Sequence, residues 1–371
     1  MIIHTYFFTL PQGDADAVRF EKNAYYLSIS NYQIDWFTHL TQGDKLYELL
    51  LSFVYLISGR NPFLLGLIMV FLGVYVVYLT YRATFYLWQN ESLAETAAWI
   101  TTFFPLLALE SAILLREKPI MVFMMLGIIS FIKFMKYKKN MQIIGFILYT
   151  FLSLLFHSGI IAIYFGYLFY ITFTAKQSNF FTKFLSVVLV LGALYLMNET
   201  KVGTNKIGGS LENSFEVLQK REQYDTRGGS RYPQWMRLSG DNSDIIKIPI
   251  RYITFLFAPL IPWLIRSIWH LVGLIDALLY ILMFYLIFRY REIFKYNETA
   301  KALFIMALVT IFVFSLGVTN VGTALRHRAK IAPILIVLAV GMNKKMLNYY
   351  RWQLYEYLKQ FKKSSKSKLI Q

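Results

Sequence analysis

Three observations predict an all-α membrane protein that crosses the bilayer many times. Of its 371 residues, 57% are hydrophobic and only 16% are charged, whereas soluble domains carry about 25% charged residues. The mean hydropathy is +0.46. Apolar runs suited to a bilayer recur from residue 62 to residue 342. The soluble, fibrous and disordered classes of protein are therefore excluded.

About nine of these runs are predicted to span the membrane, since one crossing needs about 20 mostly apolar residues. They are residues 63–81, 93–114, 119–134, 141–156, 160–174, 183–198, 268–288, 302–317 and 329–343. The polar tripeptide at 157–159 separates the fourth run from the fifth and predicts a helical hairpin. Residues 46–59 and 248–265 are apolar as well. We assign both to interfacial or re-entrant helices, because counting either as a crossing would put the lysine-rich loops on the wrong side.

The distribution of Lys and Arg predicts the orientation, because cytoplasmic loops carry the excess of basic residues. Basic residues concentrate at 133–139, at 289–301 and in the tail after residue 343. Segment 198–247 carries eight basic and seven acidic residues, and the count of spans places it outside with the N-terminus. The chain then divides into an extracytoplasmic acidic loop (1–45), a first transmembrane block (46–197), a long extracytoplasmic loop (198–247), an interfacial helix with a second transmembrane block (248–343) and a basic cytoplasmic tail (344–371).

The formal charge of +17 fits a membrane protein without a nucleic-acid partner. Cations of such proteins collect in cytoplasmic loops and at lipid headgroups, and the chain contains no compact basic domain. Cysteine is absent, which excludes disulfides and thiolate metal sites. Because no metal-ligand motif or nucleotide-binding loop is found either, we expect neither a metal site nor a cofactor.

Four arginines are candidates for binding a diphosphate group: Arg116, Arg251, Arg326 and Arg328. They lie at predicted outer ends of helices, where charges beside hydrocarbon are expensive, and Arg binds phosphate through two parallel N–H donors. The alternative for Arg116 is a local ion pair with Glu117 or Glu110. Arg326 and Arg328 point to different faces of a regular helix, so one of them binds the ligand while the other snorkels or pairs with an acid.

Five residues are candidates for the catalytic acid or base: Asp14, Asp16, Glu21, His157 and His327. The carboxylates either bind or activate sugar hydroxyls or simply solvate their loop. His157 is either a base, a donor to phosphate or a neutral histidine bonded to a backbone carbonyl. His327 stands between two arginines, whose charge should lower its pKa and leave it neutral and able to accept a proton.

The long loop offers five candidates for saccharide binding: Tyr224, Arg227, Arg231, Tyr232 and Trp235. Aromatic rings that stack on sugars, next to polar donors, are typical of a saccharide groove, and long irregular loops are often functional. The alternative is a flexible extracytoplasmic loop.

Eight short motifs, in matching order over most of the chain, resemble Wzy-type polysaccharide polymerases near the EpsG-like branch. The motifs are those at residues 13–21, 58–61, 115–117, 156–159, 228–232, 249–259, 270–276 and 325–330. The resemblance implies a fold like that of the GT-C membrane glycosyltransferases. It also implies polymerisation of undecaprenyl-diphosphate-linked oligosaccharide repeats, for O-antigen, capsule or exopolysaccharide, at the outer face of the bacterial inner membrane.

The same resemblance implies how the residues act and with which partners. Arg116, Arg231, Arg251, Arg326 and Arg328 would hold the diphosphate or position the repeats, with one acid or histidine as the base. The bilayer, a chain-length regulator and a flippase are the implied partners, and no metal is needed. Two alternatives remain open: a GT-C enzyme that transfers one sugar or ligates a finished chain, and a flippase or transporter of lipid-linked sugars.

Overall fold

The computed structural model describes residues 15–30, 35–175, 231–239, 242–260 and 269–368, with isolated positions between 184 and 195 and at Ile265. The regular secondary structure of these residues is helical. A single isolated β-bridge joins Arg231 to Asn320. The predicted all-α fold is confirmed for the described part of the chain.

The described α-helices are numbered here in chain order. They are α1 (Ala15–Ile29), α2 (Trp36–Thr41), α3 (Gly43–Ser58), α4 (Pro62–Trp88), α5 (Glu91–Phe103), α6 (Pro105–Ser111), α7 (Glu117–Tyr137), α8 (Asn140–Phe156), α9 (Ile161–Phe169), α10 (Asp244–Phe257), α11 (Trp269–Arg289), α12 (Glu298–Gly317), α13 (Val321–Ala329), α14 (Ala332–Gly341) and α15 (Lys344–Lys368). Short 3₁₀ or π turns extend or join them at Ser158–Ile160, Tyr170–Thr174, Gln234–Met236 and Arg291–Lys295.

Four of the described helices are long and apolar enough to cross a bilayer: α4, α7, α11 and α12. The bent pair α5 and α6 makes a fifth if it counts as one span. Three further predicted spans are the shorter helices α8, Ser158–Thr174 and α14, and most of span 183–198 lies outside the described residues. The chain is therefore a multi-pass membrane protein, with fewer full-length spans in its described part than the nine predicted.

The predicted span 93–114 is broken into two helices that meet at an angle of 64°. Pro105 begins α6, and Phe104 before it is extended, with a ψ angle of 115°. Proline has no N–H to continue a helix and excludes the helical conformation of the residue before it. The break turns the chain so that α6 contacts α11, where the backbone N–H of Leu106 donates to Oδ1 of Asp276 at 3.1 Å.

The segment predicted as an acidic loop contains helix α1, which corrects that description. Ala17, Phe20 and Ala24 lie on one face of the helix and are at most 4% exposed. Their spacing of three and four residues is that of an amphipathic helix, and this face packs on α3. The acidic residues of the segment therefore project from a helix that is fixed to the bundle.

The interfacial or re-entrant segments form α3 and α10, of 16 and 14 residues. Neither is among the described helices that pass as full spans. Helix α10 contains Pro249 and contacts α11, α12 and α13. It therefore lies against the end of α12 that also carries the connection to α13.

Two ends of the bundle differ in their chemistry. At one end, the start of α7, the end of α8, the end of α12 and helix α13 come together. At the other end, Trp88 donates to the carbonyl of Val337 at 2.7 Å, and Arg351 of α15 pairs with Glu292 at 2.6 Å. The first end carries the acidic and basic groups described next.

Candidate active site

Arg326 is the centre of a cluster of charged side chains at this end of the bundle. Its Nη1 donates to Oδ2 of Asp16 at 2.9 Å, and its Nη2 donates to Oε1 of Glu117 at 3.0 Å. The first contact joins residues 310 positions apart. The side chain of Arg326 is 17% exposed, that of Asp16 38% and that of Glu117 1%. The cluster therefore contains one buried acid, Glu117, and one that solvent reaches, Asp16.

Arg116 belongs to the same cluster through a second carboxylate, that of Asp44, to which it donates a hydrogen bond. Arg19 of α1 approaches Asp44 at 3.6 Å and Asp16 at 3.2 Å. Arg116 immediately precedes α7, of which Glu117 is the first residue. Arg116 and Arg326 are thus connected through the carboxylates of Asp44 and Asp16, with Arg19 between them.

Gly43 explains how Asp44 reaches this place. A Cβ atom at Gly43 would lie 2.7 Å from the carbonyl oxygen of Leu155, and the carbonyl of Phe156 would be closer still. Only glycine permits so close an approach of two backbones. The first turn of α3 therefore lies directly on the last turn of α8, one residue before His157.

Lys330 and His327 form the buried side of the cluster. The Nζ atom of Lys330 lies 3.5 Å from Oε1 of Glu117 and 3.0 Å from Nδ1 of His327. Burial lowers the pKa of His327 well below its usual value, and the positive charges of Lys330 and Arg326 lower it further. His327 is therefore neutral at pH 7, as the sequence predicts, although burial is the larger cause.

His157 lies next to His327, so two candidates far apart in the sequence come together. Their ring centroids are 4.8 Å apart with the planes at 86°, and the ring of Phe314 from α12 contacts both. His157 ends α8 and begins the following 3₁₀ turn, in which the N–H of Gly159 donates to its Nδ1 at 3.1 Å. Nδ1 of His157 thus accepts a backbone hydrogen bond, and which of the three roles expected from the sequence it has stays a prediction.

A second buried pair extends the cluster inward. Glu110 and Lys118 are each 1% exposed, and Nζ of Lys118 donates to the carbonyl of Leu107 at 2.8 Å. Within the described part of the chain, neither carboxylate oxygen of Glu110 has a hydrogen-bond partner. Burial without hydrogen-bond partners disfavours the charged form of a carboxyl group.

Glu21, a candidate for the catalytic acid or base, binds Arg60 and Tyr55 rather than the arginines of the cluster. It accepts two hydrogen bonds at 2.9 Å from Arg60 and one at 2.9 Å from Tyr55. Burial raises the pKa of Glu21, but these hydrogen bonds outweigh that effect and hold it below the usual value. The structure thus gives Glu21 a role in fixing α1 to the end of α3.

Arg251 and Arg328 are fully buried and bind the ends of helices. Arg251 donates to the carbonyls of Leu316 and Val318 at the end of α12. Helix carbonyls in the last turn have no partner within the helix, so a guanidinium group can cap them. Arg251 therefore caps α12, where the sequence predicts a diphosphate ligand.

Arg328 makes the same kind of contact with α10. It donates to the carbonyls of Leu256 and Ala258 there, and to that of Gly273 in α11 at 2.8 Å. Its guanidinium carbon also lies 5.0 Å from the centroid of Tyr280. Of the two arginines in α13, Arg326 thus faces the carboxylates and Arg328 faces the protein interior, which agrees with the expectation that they point to different faces.

The saccharide candidates of the long loop are only partly visible. Asp14, Tyr224 and Arg227 lie outside the described residues. Arg231 forms the β-bridge with Asn320, directly before α13. Tyr232 is 1% exposed and Arg251 lies over its ring at 5.8 Å, so it packs inside the protein, whereas Trp235 is 54% exposed.

Four members of the cluster are absent from the sequence-based site: Arg19, Asp44, Glu117 and Lys330. Lys330 belongs to the motif at 325–330 and Glu117 to that at 115–117, so attention to every charge in these motifs would have found both. Asp44 belongs to none of the eight motifs, and no local signal connects it to Arg116, 72 positions away.

The cluster has the properties of a site for an anionic ligand and an acceptor hydroxyl. Four cationic groups, Arg19, Arg116, Arg326 and Lys330, face three carboxylates. Guanidinium groups in a poorly hydrated site stabilise phosphate oxygens, and a carboxylate that solvent reaches can accept a proton. Among the described residues, no group of three His, Asp or Glu side chains is placed to hold a metal ion.

The profile of the dolichyl-phosphate-mannose-protein mannosyltransferase family matches residues 26–156, about a third of the chain. No curated protein and no solved structure gives a significant match. The matched segment includes Asp44, Arg116 and Glu117, and it ends one residue before His157. The match supports a membrane glycosyltransferase of the GT-C fold that acts on a lipid-linked sugar. It does not distinguish a polymerase from an enzyme that transfers a single sugar.

Proposed function

We propose that the chain polymerises oligosaccharide repeat units carried on undecaprenyl diphosphate, at the outer face of the bacterial inner membrane. The cluster around Arg326 carries the proposal, because it brings arginines from two distant segments to one end of the bundle beside a half-exposed carboxylate. The motifs at 115–117, 156–159 and 325–330, which resemble Wzy-type polymerases, supply its members. A flippase and a chain-length regulator are the proposed protein partners.

In this proposal, Arg116 and Arg326 bind the diphosphate of the donor chain. The bond between the anomeric carbon and the diphosphate oxygen breaks, and the diphosphate leaves with the electron pair. The acceptor hydroxyl oxygen forms the new bond to that carbon, and its proton passes to Asp16. Guanidinium groups that neutralise the leaving group lower the barrier by electrostatic stabilisation, and a positioned base contributes typically about 10²–10⁴-fold.

The direct test is a transfer assay with purified protein in lipid nanodiscs. The protein receives undecaprenyl-diphosphate oligosaccharides, and the products are separated by length. We expect a ladder of chains together with released undecaprenyl diphosphate. A product that stops after one added unit would replace the polymerase with a transferase or ligase, and unchanged lipid with movement between leaflets would favour the flippase.

A single-sugar transferase is the second candidate, because the matched family uses dolichyl-phosphate mannose. A monophosphate donor presents less negative charge than a diphosphate, so it needs fewer cations. The four cations of the cluster already face three carboxylates, so the motifs that resemble Wzy-type polymerases, and not the count of cations, favour the diphosphate. Supplying the same preparation with polyprenyl-monophosphate and polyprenyl-diphosphate donors of one saccharide separates the two candidates by which lipid is consumed.

Arg326→Ala tests the site itself. We expect the ladder to be lost while the protein still inserts in the membrane, because diphosphate neutralisation requires the guanidinium group. Arg351→Ala is the matched control, since Arg351 pairs with Glu292 at the opposite end of the bundle. Chains of normal length from Arg326→Ala would contradict the assignment of the diphosphate site.

A further inference from the structure

The pair formed by Lys330 and His327 determines which nitrogen of the imidazole carries the proton. A lysine ammonium group has donors and no acceptor. Its Nζ lies 3.0 Å from Nδ1 of His327, so a charged Lys330 makes Nδ1 the acceptor. Glu117 at 3.5 Å from the same Nζ favours the charged amine. The neutral ring of His327 consequently carries its hydrogen on Nε2.

We propose that His327 is a hydrogen-bond donor through Nε2–H, to a phosphate oxygen of the lipid-linked donor, and that Lys330 is the positioning residue that selects this tautomer. The inference deepens the proposed function and rests on it. Phosphate oxygens are acceptors, and a neutral imidazole offers one N–H. With Nδ1 occupied by Lys330 and Nε2 protonated, His327 has no lone pair with which to take the proton of the acceptor hydroxyl.

Two features of the surroundings agree with this assignment. The side chain of His327 is half-buried, so a ligand can reach it. Oε1 of Glu117 lies 3.0 Å from Nη2 of Arg326 and 3.5 Å from Nζ of Lys330, and that Nζ contacts the ring of His327. A phosphate bound by Arg326 would therefore lie close to the imidazole of His327. In the proposed reaction, the proton of the acceptor hydroxyl goes to the carboxylate of Asp16.

Nitrogen NMR tests the tautomer without any assay of activity. The chain has five histidines, so ¹⁵N-histidine labelling in bilayers gives few signals, and His327→Gln identifies the one that belongs to His327. We expect the proton on Nε2 in the wild type at pH 7.5. In Lys330→Met, the signal should shift toward the Nδ1–H form. A proton on Nδ1 in the wild type, or a tautomer that Lys330→Met leaves unchanged, would overturn the inference.

The transfer assay can distinguish a hydrogen-bond donor from a general base at position 327. The side-chain amide of glutamine places an N–H near the position of Nε2 but accepts no proton. We expect His327→Gln to keep kcat within about tenfold of the wild type, and His327→Ala to lose about 10²–10³-fold, the usual effect of one lost donor. His39→Gln, which alters a half-buried histidine of α2 outside the cluster, serves as the control. Equal loss in His327→Gln and His327→Ala contradicts the donor role.

The pH profile gives a second discrimination. If His327 were the base, its protonation would define the acid limb of kcat/KM, and His327→Gln would remove that limb. We expect the limb to remain in His327→Gln, and its loss in that variant would overturn the donor role. Failure of the proposed function looks different, because the wild type would then consume no lipid-linked saccharide at all while the NMR result still decided the tautomer.

Discussion

Single residues show that arginine serves two purposes in this chain. Arg328 donates to three backbone carbonyls, whereas Arg326, two positions earlier, donates to two carboxylates. A carbonyl that loses its partner in the interior costs about 1–3 kcal/mol. Arg328 therefore contributes to the stability of the fold, and Arg326 to the charge of the cluster.

Arg328→Met and Arg326→Lys should separate these purposes. We expect Arg328→Met to unfold at a clearly lower temperature, because three carbonyls lose their donor. Arg326→Lys should keep the melting temperature of the wild type, since its charge still faces Glu117, but transfer more slowly because an ammonium group lacks the planar pair of donors. Thermal unfolding and the ladder assay check both. A stable Arg328→Met protein would contradict the capping role.

The pH dependence of stability should reveal His327. Its pKa is well below the usual value through burial and the charges of Lys330 and Arg326, and an unfolded histidine titrates near 6.5. As the pH falls below about 6.5, the unfolded chain takes up a proton that the folded chain refuses, so stability is lost toward acid.

We therefore expect the melting temperature of the wild type to fall more between pH 7.5 and pH 5.5 than that of His327→Gln. The difference between the two proteins isolates this histidine from the carboxylates, which titrate in both. Equal losses in the two proteins would show that His327 titrates normally.

At the level of elements, the contact between α3 and α8 positions half of the cluster. Gly317→Ala offers a matched control for Gly43→Ala, because a Cβ atom at Gly317 meets no atom within 4 Å. Gly43→Ala should cost about 1–3 kcal/mol, as overpacking commonly does, and should slow transfer by moving Asp44 away from Arg116. Thermal unfolding and the transfer assay measure both effects. Unchanged values would contradict the role of the close approach.

The sequence predicts the elements better than it predicts the contacts between them. Hydropathy locates α4, α7, α11 and α12, because a helix that crosses the bilayer is apolar over most of its length. Helix α1 is an exception: its acidic residues predict a loop, whereas the spacing of Ala17, Phe20 and Ala24 fits the helix that the structure shows.

The site is predictable only in part, for a physical reason. The cost of a charge near hydrocarbon identifies Arg116 and Arg326, but it identifies Arg251 and Arg328 equally, because helix carbonyls relieve that cost as well as a ligand does. Whether a guanidinium group binds helix carbonyls or a ligand depends on where the C-terminal ends of α10 and α12 lie. The pairing of Asp44 with Arg116 depends in the same way on helix packing.

At the scale of the whole molecule, the predicted orientation places the cluster outside and α15 inside. The natural chain contains no cysteine, so a single introduced thiol is a unique reporter. We expect a membrane-impermeant maleimide to label Lys22→Cys in sealed right-side-out vesicles, and Lys345→Cys only after permeabilisation. Both positions are exposed. The reverse pattern would move the cluster to the cytoplasmic leaflet and contradict the proposed location of the reaction.

The carboxylates that hold Arg116 and Arg326 in the structure also act as built-in counter-ions. A phosphate that binds Arg116 or Arg326 would replace a carboxylate of Asp44 or Asp16. Its binding free energy would therefore be only the difference between two similar ion pairs. In the proposed reaction, Asp44 would compete for Arg116 as soon as transfer is complete, and Asp16 would compete for Arg326 once it has released the proton of the acceptor. If the chain polymerises repeat units as proposed, its own acids would displace the spent lipid carrier, and repeated cycles would proceed without a tightly held end product.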